Sequence, residues 1–293
     1  MRYLVSIFIV SMLATSSSAQ DLFPFEMNGV WGYRDLHGVV KITPQFQLAR
    51  KFYWNMGAVV KNEKWGIIDS NNHILIDFKY EYLQPIDSAE LLFGFKGQYF
   101  GEFKLGVIRK DEVVKIPAIY SSITKQKDRY FVSTKKDSIT GQSELGDIRS
   151  VTTYTGMLDG SGQILIPCKF FSIRWFTDSL LLVDSSFAVE NGKYIATHSA
   201  FFTKEGQQLS GFDYLVVASL KEGLAKARIG NQYGFVNAAG KVVIPVTLEY
   251  CEEFHNGYAL FKQKDKWGAI DKTGKVIIEA IHTYETAKQL LNQ

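Results

Sequence analysis

Four aspartates, Asp35, Asp69, Asp159 and Asp271, each stand four positions after the opening residue of a recurring phrase. Carboxylates at a constant offset are what a ring of cation ligands would need, although no EF-hand spacing accompanies them. The local alternative is an aspartate that opens a tight turn and accepts hydrogen bonds from the turn's own backbone, and this is the reading adopted. Five histidines, His37, His73, His198, His255 and His282, fall at five different offsets, with neither HxH nor HExxH present. Zinc ligation is therefore not expected, and no cofactor is implied. Glu102, Asp147 and Asp178 lie between phrases, where two converging carboxylates would make a glycoside hydrolase. Ser143, in GQSELGD, lacks the GxSxG context of a nucleophile elbow. The chain is read as noncatalytic, with a hydrolase built on the central insertions as an alternative.

Binding chemistry is better represented. Aromatic residues outside the phrase cluster at Phe52-Tyr53-Trp54, at Phe93 and Phe95 with Tyr99-Phe100 and Phe103, and at Phe170-Phe171 with Trp175-Phe176. Adjacent rings cannot both face the buried side of one strand, so some must turn to solvent. Tyr53, Trp54, Tyr99, Phe100 and Trp175 form the candidate binding surface, able to stack on a peptide or a glycan.

The elements that position these rings come from a repeat. Residues 64–76 read KWGIIDSNNHILI and residues 266–278 read KWGAIDKTGKVII. Aligned on the first tryptophan, copies start at Trp31, Trp65, Leu105, Thr155, Ser199, Tyr233 and Trp267, separated by 34, 40, 50, 44, 34 and 34 residues. A unit of about 34 residues is thus interrupted at 83–103, 133–153 and 172–198, where loops are expected to grow. Each phrase predicts a β-hairpin. Its first strand runs to the Asp or Asn at offset four, a turn follows, and a β-rich run returns toward a proline. Asp69 with Asn72, Asp159 with Gly162, Asn237 with Gly240, and Asp271 with Gly274 are the expected turn pairs, the second member taking positive φ. A further strand precedes the phrase in several copies, so the unit reads as strand, turn, strand, turn, strand and a longer connection. One such unit cannot bury its apolar face alone. The openers Trp31, Trp65, Tyr233 and Trp267 are assigned to the seam between units.

The first 19 residues combine Arg2, an apolar run from Leu4 to Leu13 and the small residues Ser17-Ser18-Ala19. This reads as a signal peptide, followed by a single β-repeat domain over residues 20–293. The apolar run is too short for a membrane span, and none is expected in the mature chain. Without Arg2, 32 Lys and Arg face 30 Asp and Glu, a balance too even to argue for nucleic acid. Cys168 and Cys251 are read as buried free thiols rather than a disulfide scaffold.

The phrase resembles the WG-repeat family, also described by its KWG motif, whose copies read like KWGYIDKTGKVVIPPKYD. The match runs through Lys64-Trp65-Gly66-Ile67-Ile68-Asp69, Tyr233-Gly234-Phe235-Val236-Asn237 to Gly240-Lys241-Val242-Val243-Ile244-Pro245, and Lys266-Trp267-Gly268-Ala269-Ile270-Asp271 to Gly274-Lys275-Val276-Ile277-Ile278. It departs at Leu105, Thr155 and Ser199, and at Asp77 and Glu279, where proline is usual. The resemblance implies a mostly bacterial β-rich scaffold with an interaction role and carries over no catalytic residue. The resulting expectation is an all-β chain whose repeats form an open twisted β array or solenoid, with a closed propeller-like ring as the alternative. It would act as a monomer at, or outside, a bacterial envelope, on a protein or glycan partner.

Overall fold

Alternating apolar residues on either side of an Asp-x-x-Gly turn must pair with one another before they can pack, and pairing is the first thing the structure displays. The computed structural model describes residues 22–97, 102–143, 146–190 and 193–291. The expected leader and the aromatic pair Tyr99-Phe100 lie outside the described residues. The chain divides into two compact units, one up to Ala118 and one from Ile119, where the sequence reading has one domain over 20–293.

The described residues form seven antiparallel sheets, one for each copy of the phrase, and none closes into a barrel. These residues are nearly all β, with one short helix among them. The first unit holds the sheets over residues 23–46, 48–80 and 82–120, the last two residues of the third being counted with the second unit. The second unit holds those over 122–170, 172–203, 216–248 and 250–282. No described helix is long and apolar enough to cross a membrane.

The second sheet serves as the pattern: Leu48–Ala49, Gly57–Lys61, Lys64–Ile68 and Ile74–Tyr80, hydrogen-bonded in chain order. Five of the seven sheets have four strands rather than three, and at every junction but the one after the fifth sheet, where residues 204–215 intervene, no long connection follows the last strand. At these five junctions a single residue joins the last strand to the first strand of the next sheet: Gln47, Glu81, Ser121, Phe171 or Glu249. The expected longer connection is therefore corrected. The bend contains neither Gly nor Pro, and its first strand becomes a strand only by pairing with the second.

The insertions also differ from expectation. Arg129–Ser143 pairs with Gly146–Leu158, and Leu180–Glu190 pairs with Lys193–Thr203. Residues 133–153 and most of 172–198 are thus lengthened hairpins rather than loops, because each strand satisfies the other's backbone groups. In the third sheet, 83–103 carries most of Tyr82–Pro85 and all of Glu90–Lys96.

The glycine after the opener has a steric cause. Trp267 pairs with His282 and Ala269 with Ile278, so Gly268 alone faces the bulged residues 279–281. A Cβ on Gly268 would lie 2.4 Å from the Ile278 carbonyl oxygen. Only glycine lets the fourth strand arch this close.

Within each unit, sheets bury their faces against their sequence neighbours. In the first unit, Tyr33, Ile42 and Phe46 of the first sheet close on Ala49, Phe52, Val59 and Ile68 of the second. Trp65, Ile67 and Ile76 of the second close on Leu83, Leu91 and Ile108 of the third. The second unit repeats this, ending where Ala287 and Tyr284 of the helix Tyr284–Leu290 cover Leu260, Ala269 and Trp267. Each fully buried aliphatic side chain contributes about 1.5–3 kcal/mol.

The fifth sheet breaks the pattern. Ser199 replaces the aromatic opener, pairs with Asp184, and donates from Oγ to its carboxylate at 2.6 Å. Ser172 Oγ donates to the other carboxylate oxygen. Asp184 and Ser199 are each only 2% exposed, and a carboxylate this deep must have its lone pairs occupied.

Candidate binding surface

The aspartates at offset four act within their own turns. Asp271 Oδ1 accepts from the N–H groups of Thr273 and Lys275 at 2.8 and 3.0 Å, while Gly274 takes φ 86°. Asp159 does the same for Ser161 and Gln163, Asn237 for Ala239 and Lys241, and Asp69 for Asn71 and His73. Gly162, Gly240 and Asn72 have φ 94°, 72° and 65°. The Thr273 hydroxyl and these N–H groups hold the Asp271 carboxyl below the usual carboxylate range, and the Ser161 hydroxyl does so for Asp159. The Oδ1 of each is already engaged within its own turn, which leaves little for a cation. Among the described residues, no group of three or more His, Cys, Asp and Glu is placed to hold a metal.

The openers lie toward the element that follows their own sheet, which for Trp267 is the terminal helix. Trp65 is buried beneath the Arg50 guanidinium, which lies 4.3 Å from its ring and 5.0 Å from that of Tyr82. Trp31 is half-buried against the core of the first two sheets. Tyr233 and Trp267 are half-buried, and an edge-to-face series runs Tyr233, Tyr250, Trp267, Tyr284 with centroids 5.4, 5.9 and 4.9 Å apart. A second recurring contact was missed from the sequence. The joining residues Gln47 and Glu249 accept, through their side chains, from Glu63 N and Lys264 N in the tight turns between the second and third strands. Its signal is Gln or Glu sixteen positions after the opener in three copies, Gln47, Glu81 and Glu249.

The remaining aromatic candidates separate. Trp175 is half-buried, packed edge-on to Phe131 with Lys127 Nζ 4.6 Å above its ring, and its indole Nε1 is buried. It belongs to the interior of the second unit. Tyr53 and Trp54 are each 49% exposed. Trp54 and Asn55 form a two-residue turn closed by Tyr53 N to Met56 O at 3.0 Å and Met56 N to Tyr53 O at 2.9 Å. The turn is pinned from inside. Phe52 is buried edge-on to Tyr33 at 4.7 Å, Tyr33 Oη donates to the Arg50 carbonyl at 2.7 Å, and Met56 is buried. Outward-facing rings therefore stand on an inward-facing anchor.

The backbone makes this tip unusual. Trp54 has φ 51° and Asn55 φ 58°. Among the described residues, Trp54 is the only Phe, Tyr or Trp with positive φ. That conformation costs a residue with a Cβ about 1–2 kcal/mol. The matching turns of the sixth and seventh sheets hold Glu222-Gly223 and Asn256-Gly257, so the turn has no need of tryptophan. Strain without a packing return points to a use outside the fold.

Of the carboxylates considered for hydrolysis, Asp178 is fully exposed and paired with Lys127 Nζ, Asp147 is exposed, and Glu102 is paired with Lys104. Cys168 and Cys251 are free thiols.

Comparison with known proteins finds the same repeat. The family described as "WG containing repeat" matches residues 31–65, 65–90, 233–267 and 267–282. A search of the curated proteins finds no match. Among solved structures, the chain is similar to the β-propeller domain of the Trilobed protease from Pyrococcus furiosus, at 13% identity and a TM-score of 0.35, covering 89% of this chain and 94% of that one. It is similar to a eukaryotic initiation factor at 10% identity and a TM-score of 0.37, covering 89% and 74%. It is also similar to PorZ, a surface component of the type-IX secretion system of Porphyromonas gingivalis, at 10% identity and a TM-score of 0.26, covering 91% and 38%. The four matched segments begin at openers that are Trp or Tyr, and over residues 31–90 and 233–282 the chain carries WG containing repeats.

Proposed function

We propose that the chain is an exported, noncatalytic β-repeat scaffold that holds a component of the bacterial envelope on the Tyr53–Trp54 tip of its first unit. The observation that carries this reading is Trp54 itself, half exposed at φ 51° where the equivalent turns hold Glu-Gly and Asn-Gly. A rigid turn presenting two rings supplies contact area at little entropy cost, as binding hot spots do. The leader read in residues 1–19 supplies the route of export, to the periplasm or the outer surface. The hydrolase alternative draws no support from Asp147 and Asp178, both open to solvent.

The test is cosedimentation of the purified chain with envelope fractions, wild type against a Tyr53→Ala/Trp54→Ala variant whose melting curve is unchanged. Retention should fall by about tenfold or more, as expected when a hot spot is lost. Equal retention would remove the tip from the function.

A further inference from the structure

We infer that the tip is a saccharide site whose ligand carries carboxylates, a uronate-type acidic glycan. This rests on the reading of the tip as the recognition surface and adds the chemistry of the ligand. The observation behind it is Lys51. Its Nζ lies 5.8 Å from the Tyr53 ring centroid and 5.5 Å from that of Phe23, and the residue is exposed. Among the described residues, no carboxylate pairs with Lys51, whereas Lys41, Lys64, Lys79, Lys104 and Lys115 of the same unit are paired; Lys61, Lys96 and Lys110 share that lack, and what sets Lys51 apart is its place over the Phe23 and Tyr53 rings. A lysine lodged between two rings and left without an anion is positioned to receive one.

The size and shape of the tip favour a sugar over a protein. Tyr53 and Trp54 lie 5.8 Å apart with their planes tilted by 43°, so they offer two facets of a shallow angle rather than a broad patch. A stable protein interface needs roughly 800 Å² on each partner, far more than two half-exposed rings provide. A pyranose presents a face of C–H groups that fits against an indole, and its ring carboxylate extends from the ring edge, within reach of a lysine whose Nζ lies 5.8 Å from the neighbouring Tyr53 ring. Trp54 supplies the stacking surface, Tyr53 the second wall and Lys51 the charge.

The full chain is titrated calorimetrically with an alginate oligosaccharide, which carries uronates, and with a neutral maltooligosaccharide of equal length. Wild type should bind the acidic probe about tenfold tighter, with affinity falling as salt rises. Lys51→Gln should abolish that preference while leaving any neutral binding intact, and Trp54→Ala should abolish binding of both. Equal affinities that Lys51→Gln leaves unchanged would overturn the acidic assignment, while the tip would stand as a glycan surface. If neither probe binds but Trp54→Ala still releases the chain from envelope fractions, the ligand is a protein and the glycan inference fails. If Trp54→Ala releases nothing, the tip is not the recognition surface.

Discussion

The second and seventh sheets are written in the same phrase, KWGIID and KWGAID, and fold alike, with the same strand order and the same bulge opposite the glycine. They differ at the turn that leads into the strand before the phrase. There the second sheet carries Trp54-Asn55 and the seventh Asn256-Gly257, all four residues at positive φ. The seventh sheet shows what this turn asks for when it answers only to its backbone: a small polar residue followed by glycine. The second shows that the fold tolerates a tryptophan there. Architecture is carried by the phrase, and specificity by the position where a copy departs from local preference.

The largest expected effect separates the two tryptophans of the second sheet. Trp65→Ala should destabilise by about 3–5 kcal/mol, because it empties a site under Arg50 and the core of two sheets. Trp54→Ala should stay within about 0.5 kcal/mol. Urea denaturation measures both, and similar losses would end the distinction between seam and surface.

A smaller effect comes from grafting the seventh sheet's tip onto the second. Trp54→Asn with Asn55→Gly should stabilise by about 1 kcal/mol, since it relieves the side chain held at positive φ. The same variant should lose ligand. Lower stability would mean that Trp54 packs in a way its exposure does not suggest.

The smallest effect tests the turns. The Asp69, Asp159 and Asp271 carboxyls are held below the ordinary 3.8 in the fold. Their contribution is therefore present above the unfolded value and lost as pH falls through the lower folded values. Asn237 does the same capping without titrating. Replacing the three aspartates by asparagine should flatten the fall in stability on the acid side while keeping the hairpins. An unchanged acid slope, followed by circular dichroism, would detach those carboxylates from acid stability.

Much of this was legible in the sequence because its causes are local. An aspartate that caps its own turn, and a glycine or asparagine three residues on, need no distant partner to declare themselves. The joining residues were not legible in the same way. KYEYLQP reads as one alternating run, and only the pairing of Tyr82 with Gly94 reveals that Glu81 is a bend between sheets. The Ser- and Thr-rich stretch over 133–153 reads as a loop until each residue is set opposite its partner, Lys136 against Thr152. The polar rung of Ser172, Asp184 and Ser199 looks like decay of the phrase, yet it is a satisfied buried network.

By itself, the sequence determined the hairpins of six copies and the chemistry of their turns, since hydrogen bonds two to four residues apart depend only on neighbours; in the copy at Ser199 the return run makes isolated bridges and no strand. Tertiary structure decided the rest: that five of the seven sheets have four strands, that Trp65 and Trp175 serve the interior, and that Tyr53 and Trp54 face solvent. Burial depends on what the fold places opposite a ring. For Trp65 that is Arg50 and a core shared by two sheets, and for Trp54 it is water.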